Sequence, residues 1–427
     1  MELATLMGLL LLLLAIGVPV AFALGASSLI TFYLLDIPLV VAFQRMAAGM
    51  NIFALMAIPF FVFAGDLMHR AGIAERLIRV ADAALGRMRG GLGQVDVGAS
   101  MLFGAVSGSA IASVSAIGAT LGPMMREKGY DADYAVNVSA TAAITGLLIP
   151  PSHNMIIYAA AAGVSVSLAD LFLAGVIPGI VTGLLLMIPA WLVAVKRNYP
   201  RGEFPGWRAF ITAFAAAIPG LIAALIIVLG VLSGMFTPTE SSAIAVIYTI
   251  AVAIGVYRSL SWTAFVGATT AAIRTTAMVM VIIGAAAAFG WLLALLQAPQ
   301  HLADLLRGIT ENPLLLLLLI NVVLLVLGTF MDMAPLIIIT TPIFLPMATD
   351  LGMDPVHFGI MLMLNLGVGL VTPPVGSVLF VGCAIGGIAV EKTVRTIWPF
   401  YLALLVALAL VIYIPAMSLW LPQLLNR

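Results

Sequence analysis

Apolar runs long enough to cross a lipid bilayer follow one another along this chain of 427 residues. Hydrophobic residues make up 63% of the sequence and charged residues only 8%, too few to cover the surface of a soluble domain of this length. In lipid, backbone polar groups must find partners within the protein, so only helices and closed barrels span a membrane. The runs are unbroken rather than alternating, as a barrel would require. The sequence therefore predicts an all-α polytopic membrane protein.

Eight of these runs are close to the twenty or so residues that a membrane-spanning helix needs. We predict the spans at 4–24, 26–42, 51–69, 170–195, 209–233, 240–257, 275–298 and 396–421. The chain carries Glu2 where a signal peptide would have basic residues, so we interpret the first run as a retained helix. The single cysteine, Cys383, lies in an apolar run and is predicted to be a buried small side chain.

Paired prolines interrupt two further apolar runs, 131–163 and 354–388. Pro150-Pro151 and Pro373-Pro374 lack backbone N–H groups and their rings clash with the preceding turn, so carbonyls one turn upstream lose their helical partners. Water cannot replace those partners inside a bilayer. The sequence therefore predicts two membrane helices that are broken at mid-depth, with freed carbonyls that another group must use.

The segment before each broken helix is apolar but is interrupted halfway by polar residues. In 92–126 the interruption is Ser107-Gly108-Ser109, and in 313–349 it is Gly328-Thr329 with Asp332. Each half is too short to cross a bilayer, so we predict a re-entrant helical hairpin in both places. Two amphipathic segments that precede the hairpins are predicted to lie in the membrane interface, at 73–89 and 300–311.

The same order of elements occurs twice, at an offset of 223 residues that carries Gly146 onto Gly369. Under this shift Pro123-Met124, Gly129, Asp131, Gly146-Leu147 and Pro150-Pro151 fall on Pro346-Met347, Gly352, Asp354, Gly369-Leu370 and Pro373-Pro374. Each half crosses the membrane five times in this assignment, an odd number, so the second repeat is predicted to be inverted. With both termini outside, fifteen of the eighteen Lys and Arg fall in cytoplasmic segments. Inverted repeats with broken helices are typical of secondary transporters.

The oxygen atoms near the two breaks are suited to a small hard cation. At the first break they are the carbonyls around Gly146 and Ile149 and the hydroxyls of Ser107 and Ser109. At the second they are the carbonyls around Gly369 and Thr372, the hydroxyls of Thr329 and Thr372, and the Asp332 carboxylate. A carboxylate in such an apolar run is costly unless it is paired or bound to a cation. This cost favours a cation site at Asp332.

Structural interpretations of the same residues stay open. The proline pairs could be kinks that pack helices together, and Asp332 could cap a half-helix in a wet crevice. Ser152, Asn154 and Ser377 follow the breaks and could line a substrate path or cap helices. His153 has no counterpart in the second half, which favours a neutral hydrogen-bonded imidazole over a proton shuttle.

Several function classes lack the motifs that they need. The sequence has no Gly-x-x-x-x-Gly-Lys-Ser/Thr phosphate loop, no His-Glu-x-x-His and no intramembrane-protease string, so we expect neither an enzyme nor a chain that itself binds ATP. Eighteen basic and eighteen acidic residues cancel, so no nucleic-acid partner is expected. A passive channel is an alternative, although an inverted repeat suits alternating access better.

Over essentially its whole length the sequence resembles the large membrane subunit of tripartite ATP-independent periplasmic (TRAP) transporters. The motifs are IPFFVFAGDLM at 58–68, GAVSGSAIASVSAIG at 104–118, GLLIPPSHNMIIYA at 146–159, FTPTES at 236–241, GTFMDMAPLIIITTPIFLP at 328–346 and NLGVGLVTPPVG at 365–376. The resemblance implies sodium-driven uptake of an organic acid, such as a C4-dicarboxylate or sialic acid, across the bacterial inner membrane. It also implies two partners, a small four-helix membrane subunit and a periplasmic substrate-binding protein.

The resemblance further implies two or more sodium ions and an elevator mechanism. The first sodium site would comprise Ser107, Ser109, Gly146, Ile149 and Pro151, and the second Thr329, Asp332, Gly369, Thr372 and Pro374. Scaffold would occupy 1–69, 164–298 (with the repeat junction near 200–208) and 389–427, interfacial arms 70–91 and 299–312, and transport elements 92–163 and 313–388. Two alternatives remain: a stand-alone sodium- or proton-coupled carboxylate or anion transporter, and a receptor subunit that binds a periplasmic protein without moving solute.

Overall fold

The computed structural model describes residues 2–163, 166–202, 204–308, 310 and 312–425. In these ranges the regular structure is helical, and the one strand pairing is an isolated bridge between Arg89 and Arg201. The helices are α1 (Glu2–Ala15), α2 (Val20–Leu34), α3 (Leu39–Met50), α4 (Ala57–Arg70), α5 (Ile73–Leu85), α6 (Gly91–Ser107), α7 (Ala110–Ser113), α8 (Ala119–Glu127), α9 (Ala132–Ala142), α10 (Thr145–Leu148), α11 (His153–Ala162), α12 (Leu168–Lys196), α13 (Trp207–Leu232), α14 (Pro238–Ala251), α15 (Trp262–Leu295), α16 (Ala298–Arg307), α17 (Pro313–Gly328), α18 (Met333–Asp350), α19 (Pro355–Leu370), α20 (Ser377–Gly386), α21 (Val390–Val394), α22 (Trp398–Tyr413) and α23 (Ala416–Leu425). The prediction of an all-helical chain is confirmed.

Six helical segments of the described chain are long and apolar enough to cross a bilayer, and eight spans result if each bent pair counts as one. The longest is α15, which has 34 residues and starts well before the predicted span at 275–298. The predicted span at 396–421 bends by 55° between α22 and α23, where Pro415 lacks the N–H that a continuous helix needs. These lengths and compositions agree with a polytopic membrane protein.

The two spans predicted at 4–24 and 26–42 are wrong in their boundaries. The structure instead has α1, α2 and α3 over this region. Gly17 adopts a left-handed φ of +86° just before Pro19, and Asp36 adopts a φ of +54° just before Pro38. A positive φ ends a helix and the following proline starts the next one, because its missing N–H is not needed there. The hydropathy pattern did not predict these two turns, because the residues around them are apolar.

Both paired prolines interrupt their helices, as predicted. The first run consists of α9, α10 and α11, with a 48° bend between the helices before and after the prolines. The second consists of α19 and α20, separated by residues 371–376. The peptide bonds Pro150–Pro151 and Pro373–Pro374 are both cis. The first break is buried at Pro150, Pro151 and Ser152, whereas the second is more open, with Pro374 and Val375 exposed.

The polar interruptions ahead of the breaks also end helices. The helix α6 ends at Ser107, and Gly108 follows with a left-handed φ of +60°. The helix α17 ends at Gly328, and α18 begins after Asp332. The re-entrant path of these two hairpins stays a prediction. Cys383 is 3% exposed, which confirms the prediction that it is buried.

The long helix α12 packs closely against α10, next to the first break, and against α6, with a glycine at each contact. A Cβ atom on Gly175 would lie 2.1 Å from the carbonyl oxygen of Leu148, and one on Gly183 would lie 2.3 Å from Sδ of Met101 in α6. Only glycine allows helix backbones to approach so closely. The helices α6, α10 and α12 therefore form one tightly packed unit.

Charged and aromatic side chains join the end of α12 to the start of α9. The Arg197 guanidinium donates to Asp131 at 2.9 Å and to Asp133 at 2.8 Å. Burial and the hydrogen bond to Asp131 raise the pKa of Tyr199 to about 12, so at neutral pH its hydroxyl donates to Asp131, at 2.6 Å. These contacts strengthen the attachment of α12 to the first broken helix.

Candidate functional site

The end of α6 lies directly against the first break. A Cβ on Gly104 would come within 2.3 Å of the Gly146 Cα, and one on Gly108 would come within 2.5 Å of the Pro151 carbonyl oxygen. The two backbones can approach so closely because Gly104 and Gly108 have no side chains. The polar tip that follows α6 is thereby held next to the freed carbonyls of the first break.

The second break has a corresponding contact with the end of α17. A Cβ on Gly328 would lie 3.3 Å from the Gly369 Cα, and the Val375 N–H donates to the Thr329 carbonyl oxygen at 3.0 Å. The sequence prediction that each polar interruption faces a proline break agrees with these contacts. The structure thus places Thr329 beside the second break.

The two serines at the first break differ in their hydrogen bonding. Ser109 caps α7, because its Oγ accepts the Ala112 N–H at 3.3 Å. The Oγ of Ser107 is buried and has no hydrogen-bond partner among the described residues. The carbonyl of Gly146 lacks its usual helical donor as well, because the residue four positions later is Pro150, which has no N–H. A buried unpaired hydroxyl is costly and indicates that the site is built to receive another group.

The threonines at the second break make hydrogen bonds within their own helices. Thr329 donates to the Val326 carbonyl at 2.8 Å, and Thr372 donates to the Val368 carbonyl at 2.7 Å. The Gly369 carbonyl accepts the Thr372 N–H at 2.9 Å. Each of these oxygens keeps a lone pair that can face a cation, because a carbonyl or hydroxyl oxygen has two.

Asp332 occupies the position just before α18. Its carboxylate lies near the Met333 amide, yet it makes no capping hydrogen bond of the usual kind to the first turn. Its Oδ1 accepts the Ser377 hydroxyl at 3.4 Å. Helix capping, the structural alternative for Asp332, therefore finds little support, and the carboxylate is left facing open space.

A cavity of about 610 Å³ joins the two halves of the site. Its lining includes Ser107, Ser109 and Leu147 from the first half, Asp332 and Leu370 from the second, and His153 and Asn154 from α11. Of the predicted path residues, Asn154 lines the cavity. Ser152 is fully buried with an unpaired Oγ, and Ser377 reaches the cavity through its bond to Asp332.

Sequence reasoning missed the contribution of α4 to this cavity. Asp66, His69 and Arg70 line it, and the Nε of Arg70 donates to the Asp66 carboxylate at 2.6 Å. Neither Asp66 nor a basic residue is among the site residues that the sequence predicts. The spacing of four between an acidic and a basic residue was the available signal, because such residues lie on one face of a helix.

A second missed group is Asp96 in α6, which is fully buried. Its carboxylate accepts one short hydrogen bond from Ser139 in α9 and a 3.3 Å bond from Ser100 in α6 itself. No signal in the sequence identifies it as a buried residue, because it lies near the start of the predicted hairpin segment 92–126, where an exposed residue at a helix end is equally compatible with the pattern. The bond from Ser139 joins α6 to α9 behind the first break.

The donor set of the cavity determines which ions it suits. Among the described residues no group of three or more His, Cys, Asp and Glu side chains could hold a metal ion. The ligands available beside the two breaks are hydroxyls, carbonyls and the Asp332 carboxylate, which are oxygen ligands of low total charge. Such a set suits a hard cation of low charge.

A helical membrane protein whose two broken helices and two polar helix ends meet at one cavity has the architecture of a membrane transporter. The chain belongs to the family of the DctM component of tripartite ATP-independent periplasmic transporters, whose family model matches residues 7–417. The family predicted from the motifs is confirmed.

Proteins similar to this chain extend over nearly its whole length. It is 43% identical to the uncharacterized protein YgiK of Salmonella typhimurium, over 96% of this chain and 95% of that one. It is 38% identical to the sialic acid TRAP transporter large permease protein SiaM of Vibrio cholerae, over 96% of both chains. It is 41% identical to the C4-dicarboxylate TRAP transporter large permease protein DctM of Pseudomonas aeruginosa, over 87% and 86%.

The fold is also similar to that of a solved transporter structure. The YdaH transporter of Alcanivorax borkumensis matches with a TM-score of 0.60 over 88% of both chains, at 18% sequence identity. This likeness concerns the fold alone. It agrees with the helical membrane architecture described above.

Proposed function

We propose that this chain moves an organic acid into the cell together with sodium ions, as the large membrane subunit of its transporter. The observation that carries the proposal is the shared cavity, in which the polar ends of α6 and α17 meet both proline breaks. The names of the relatives point to carboxylates, since one is named for sialic acid and another for C4-dicarboxylates. A solute of this class and the coupling ions would occupy the cavity together.

Two sodium sites fit the oxygens around the breaks. The first would use Ser107, Ser109, Gly146, Ile149 and Pro151, and the second Thr329, Asp332, Gly369, Thr372 and Pro374. The unpaired Ser107 hydroxyl supports the first site, and the carboxylate of Asp332, open to the cavity, supports the second. Binding a cation would satisfy both groups without a protein partner, which gives each break a function beyond bending the helix.

The transport cycle we propose is an elevator formed by two inverted repeats. The hairpins and broken helices would move as one block against a scaffold that includes α4 and α15. We assign α12 to the moving block rather than to the scaffold at 164–298, because its glycines and Arg197 attach it to the first break. A second cavity, of about 190 Å³, lies between the block and α15 and has an entirely apolar lining of small and large residues, such as Ala160, Ala286 and Ile283. The free space there would let the two surfaces shift without breaking polar contacts.

The subunit would act in the bacterial inner membrane with two further proteins. We propose a small four-helix membrane subunit and a periplasmic substrate-binding protein as these partners, since the family is named for tripartite periplasmic transporters. The exposed apolar side chains of α13 and α15, such as Trp207, Ile211 and Trp262, leave room for a membrane partner or for lipid. Both termini would face the periplasm.

The test is reconstitution of this chain with its small subunit and a purified binding protein in liposomes. Uptake of sialic acid and of the C4-dicarboxylate succinate would be measured with and without a sodium gradient. We expect sodium-dependent uptake that Asp332→Ala abolishes and that Glu127→Ala, at an exposed carboxylate outside the cavity, leaves unchanged. The Asp332→Ala protein should elute as a folded monodisperse species, which separates lost function from lost folding.

Three results would favour other functions. Uptake that ignores sodium, or that survives Asp332→Ala, would contradict the second sodium site and favour proton coupling or a structural break. Uptake by this chain alone would indicate a stand-alone transporter. Firm docking of the binding protein without flux would indicate a receptor subunit.

A further inference from the structure

Asp66 and Arg70 lie one helical turn apart on α4 and both face the large cavity. Their side chains are partly open, with 25% of Asp66 and 36% of Arg70 exposed. An exposed pair at this spacing contributes about 0.3–0.5 kcal/mol to stability. The pair can therefore be opened at little cost, and folding alone gives no strong reason to place two charges at the wall of a cavity.

The guanidinium of Arg70 is held in place by the neighbouring helix. A Cβ on Gly267 of α15 would lie 2.8 Å from the Nη1 of Arg70 and 3.1 Å from its Cζ, so the group packs against the bare backbone there. Only its Nε is bonded to Asp66, and within the described chain neither Nη has an acceptor. One edge of the fork is thus available to a ligand in a fixed orientation.

Arg70 is also the only Lys or Arg among the described residues that line the cavity. The carboxylates lining it are Asp66 and Asp332. An anion would be repelled by these two groups unless a cation faced it. Arginine is suited to this task because its planar fork binds a carboxylate through two parallel hydrogen bonds.

We propose that Arg70 binds the carboxylate of the transported acid, and that Asp66 holds the guanidinium in position until the acid arrives. This inference rests on the proposed function, because it takes the cargo to be an organic acid. Sodium at Asp332 would reduce the second source of repulsion, so cation binding and acid binding support each other. Arg70 acts here as a specificity residue for negatively charged solutes.

The first test is the KM for uptake of succinate and of sialic acid in Arg70 variants of the complete transporter. We expect Arg70→Ala to raise KM at least about tenfold, the effect of losing a charged bidentate contact. Arg70→Lys should recover part of the loss, because lysine keeps the charge but not the fork. Arg79→Ala is the matched control, since Arg79 is exposed on α5 and does not line the cavity.

Asp66→Asn separates the proposed role from a structural one. Because the charge of Asp66 repels the acid, its neutral variant, whose amide oxygen can still accept the Arg70 Nε–H, should bind the acid more tightly and lower KM about two- to fivefold. If the pair only braces α4, Asp66→Asn and Arg70→Ala should change stability alike and leave KM unchanged. An unchanged KM in both variants would overturn the proposal.

Gly267→Ala displaces the guanidinium while keeping every charge. We expect a raised KM and an unchanged sodium dependence, whereas Gly8→Ala, where a Cβ meets nothing within 4 Å, should behave as wild type. Acid binding measured directly, as the ligand-induced rise in the melting temperature of the detergent-solubilised protein, gives the same comparison without flux. Wild-type binding by Arg70→Ala in this assay would also overturn the proposal.

The proposal and the proposed function fail in different ways. If Arg70→Ala has a normal KM and its uptake still depends on sodium, the proposed carboxylate contact is contradicted and the proposed sodium coupling is not affected. If wild-type uptake does not depend on sodium but Arg70→Ala raises its KM, the carboxylate contact is supported and sodium coupling is contradicted.

Discussion

The two proline breaks occupy corresponding places in the chain, yet they are held in different ways. The first is fixed by close packing of backbones, with a Cβ on Gly104 only 2.3 Å from the Gly146 Cα. The second is also closely packed, with a Cβ on Gly369 only 2.5 Å from the Gly328 carbonyl carbon, and it has hydrogen bonds from the Tyr401 hydroxyl to the Val371 carbonyl at 2.6 Å and from the Val375 N–H to the Thr329 carbonyl. The first break therefore depends mainly on shape, and the second depends on shape and on polar contacts.

The chemistry near the breaks differs in the same sense. The cavity residues of the first hairpin tip are neutral, and the buried Ser107 hydroxyl there has no partner within the described residues. The second tip contributes the carboxylate of Asp332. A neutral cation site depends on the exact spacing of its oxygens, whereas a charged one tolerates small shifts because the Coulomb attraction falls off slowly with distance. The neutral first tip should therefore be the more sensitive of the two to small displacements of its oxygens.

The largest difference between the breaks should appear when a methyl group is added to each glycine contact. Gly104→Ala puts a Cβ against the Gly146 backbone, which cannot move aside, so we expect a loss of about 3 kcal/mol or more. Gly328→Ala puts a Cβ 3.3 Å from the Gly369 Cα and should cost less than about 1 kcal/mol. Thermal unfolding of the purified variants checks the order, and equal losses would show that the packing does not differ.

The next largest effect should come from the hydrogen bond at the second break. Tyr401→Phe leaves the buried Val371 carbonyl without its donor, which costs about 1–3 kcal/mol. Tyr413→Phe is the control, since that hydroxyl is exposed and only 3.5 Å from its acceptor, and it should cost almost nothing. A Tyr401→Phe protein as stable as wild type would show that this bond does not hold the break.

The sequence was sufficient to predict both breaks because the signal is local. A proline pair lacks two N–H groups wherever it occurs, so Pro150-Pro151 and Pro373-Pro374 had to interrupt their helices. The polar ends at Ser107 and Asp332 were found in the same way. Their meeting in one cavity depends on packing between distant segments, which these local signals do not determine.

The missed features depend on packing between distant segments. Arg70 faces the cavity because α4 lies beside α15, and no local pattern fixes that pairing. The turns at Gly17 and Asp36 were hidden since apolar residues surround them. The attachment of α12 depends on which glycines face α6, a choice that a uniformly apolar helix does not reveal.

The two serines of the first tip should separate stability from ion binding. Ser109→Ala removes the α7 cap and should cost about 1 kcal/mol. Ser107→Ala removes a buried hydroxyl without a partner, so stability should stay the same or rise. Sodium affinity should nevertheless fall about tenfold in Ser107→Ala, measured from the sodium dependence of the melting temperature. A less stable Ser107→Ala protein with normal sodium affinity would contradict the first site.

The smallest effect should come from Ser377, the hydroxyl that donates to Asp332. At 3.4 Å this bond is weak, so Ser377→Ala should change stability by less than about 0.5 kcal/mol and sodium affinity by less than about threefold. The second site would then hold its cation mainly through charge, in contrast to the first. A loss as large as that of Asp332→Ala would instead mean that the carboxylate needs Ser377 to orient it. The second break would then depend on geometry as strongly as the first, and the comparison between them would fail.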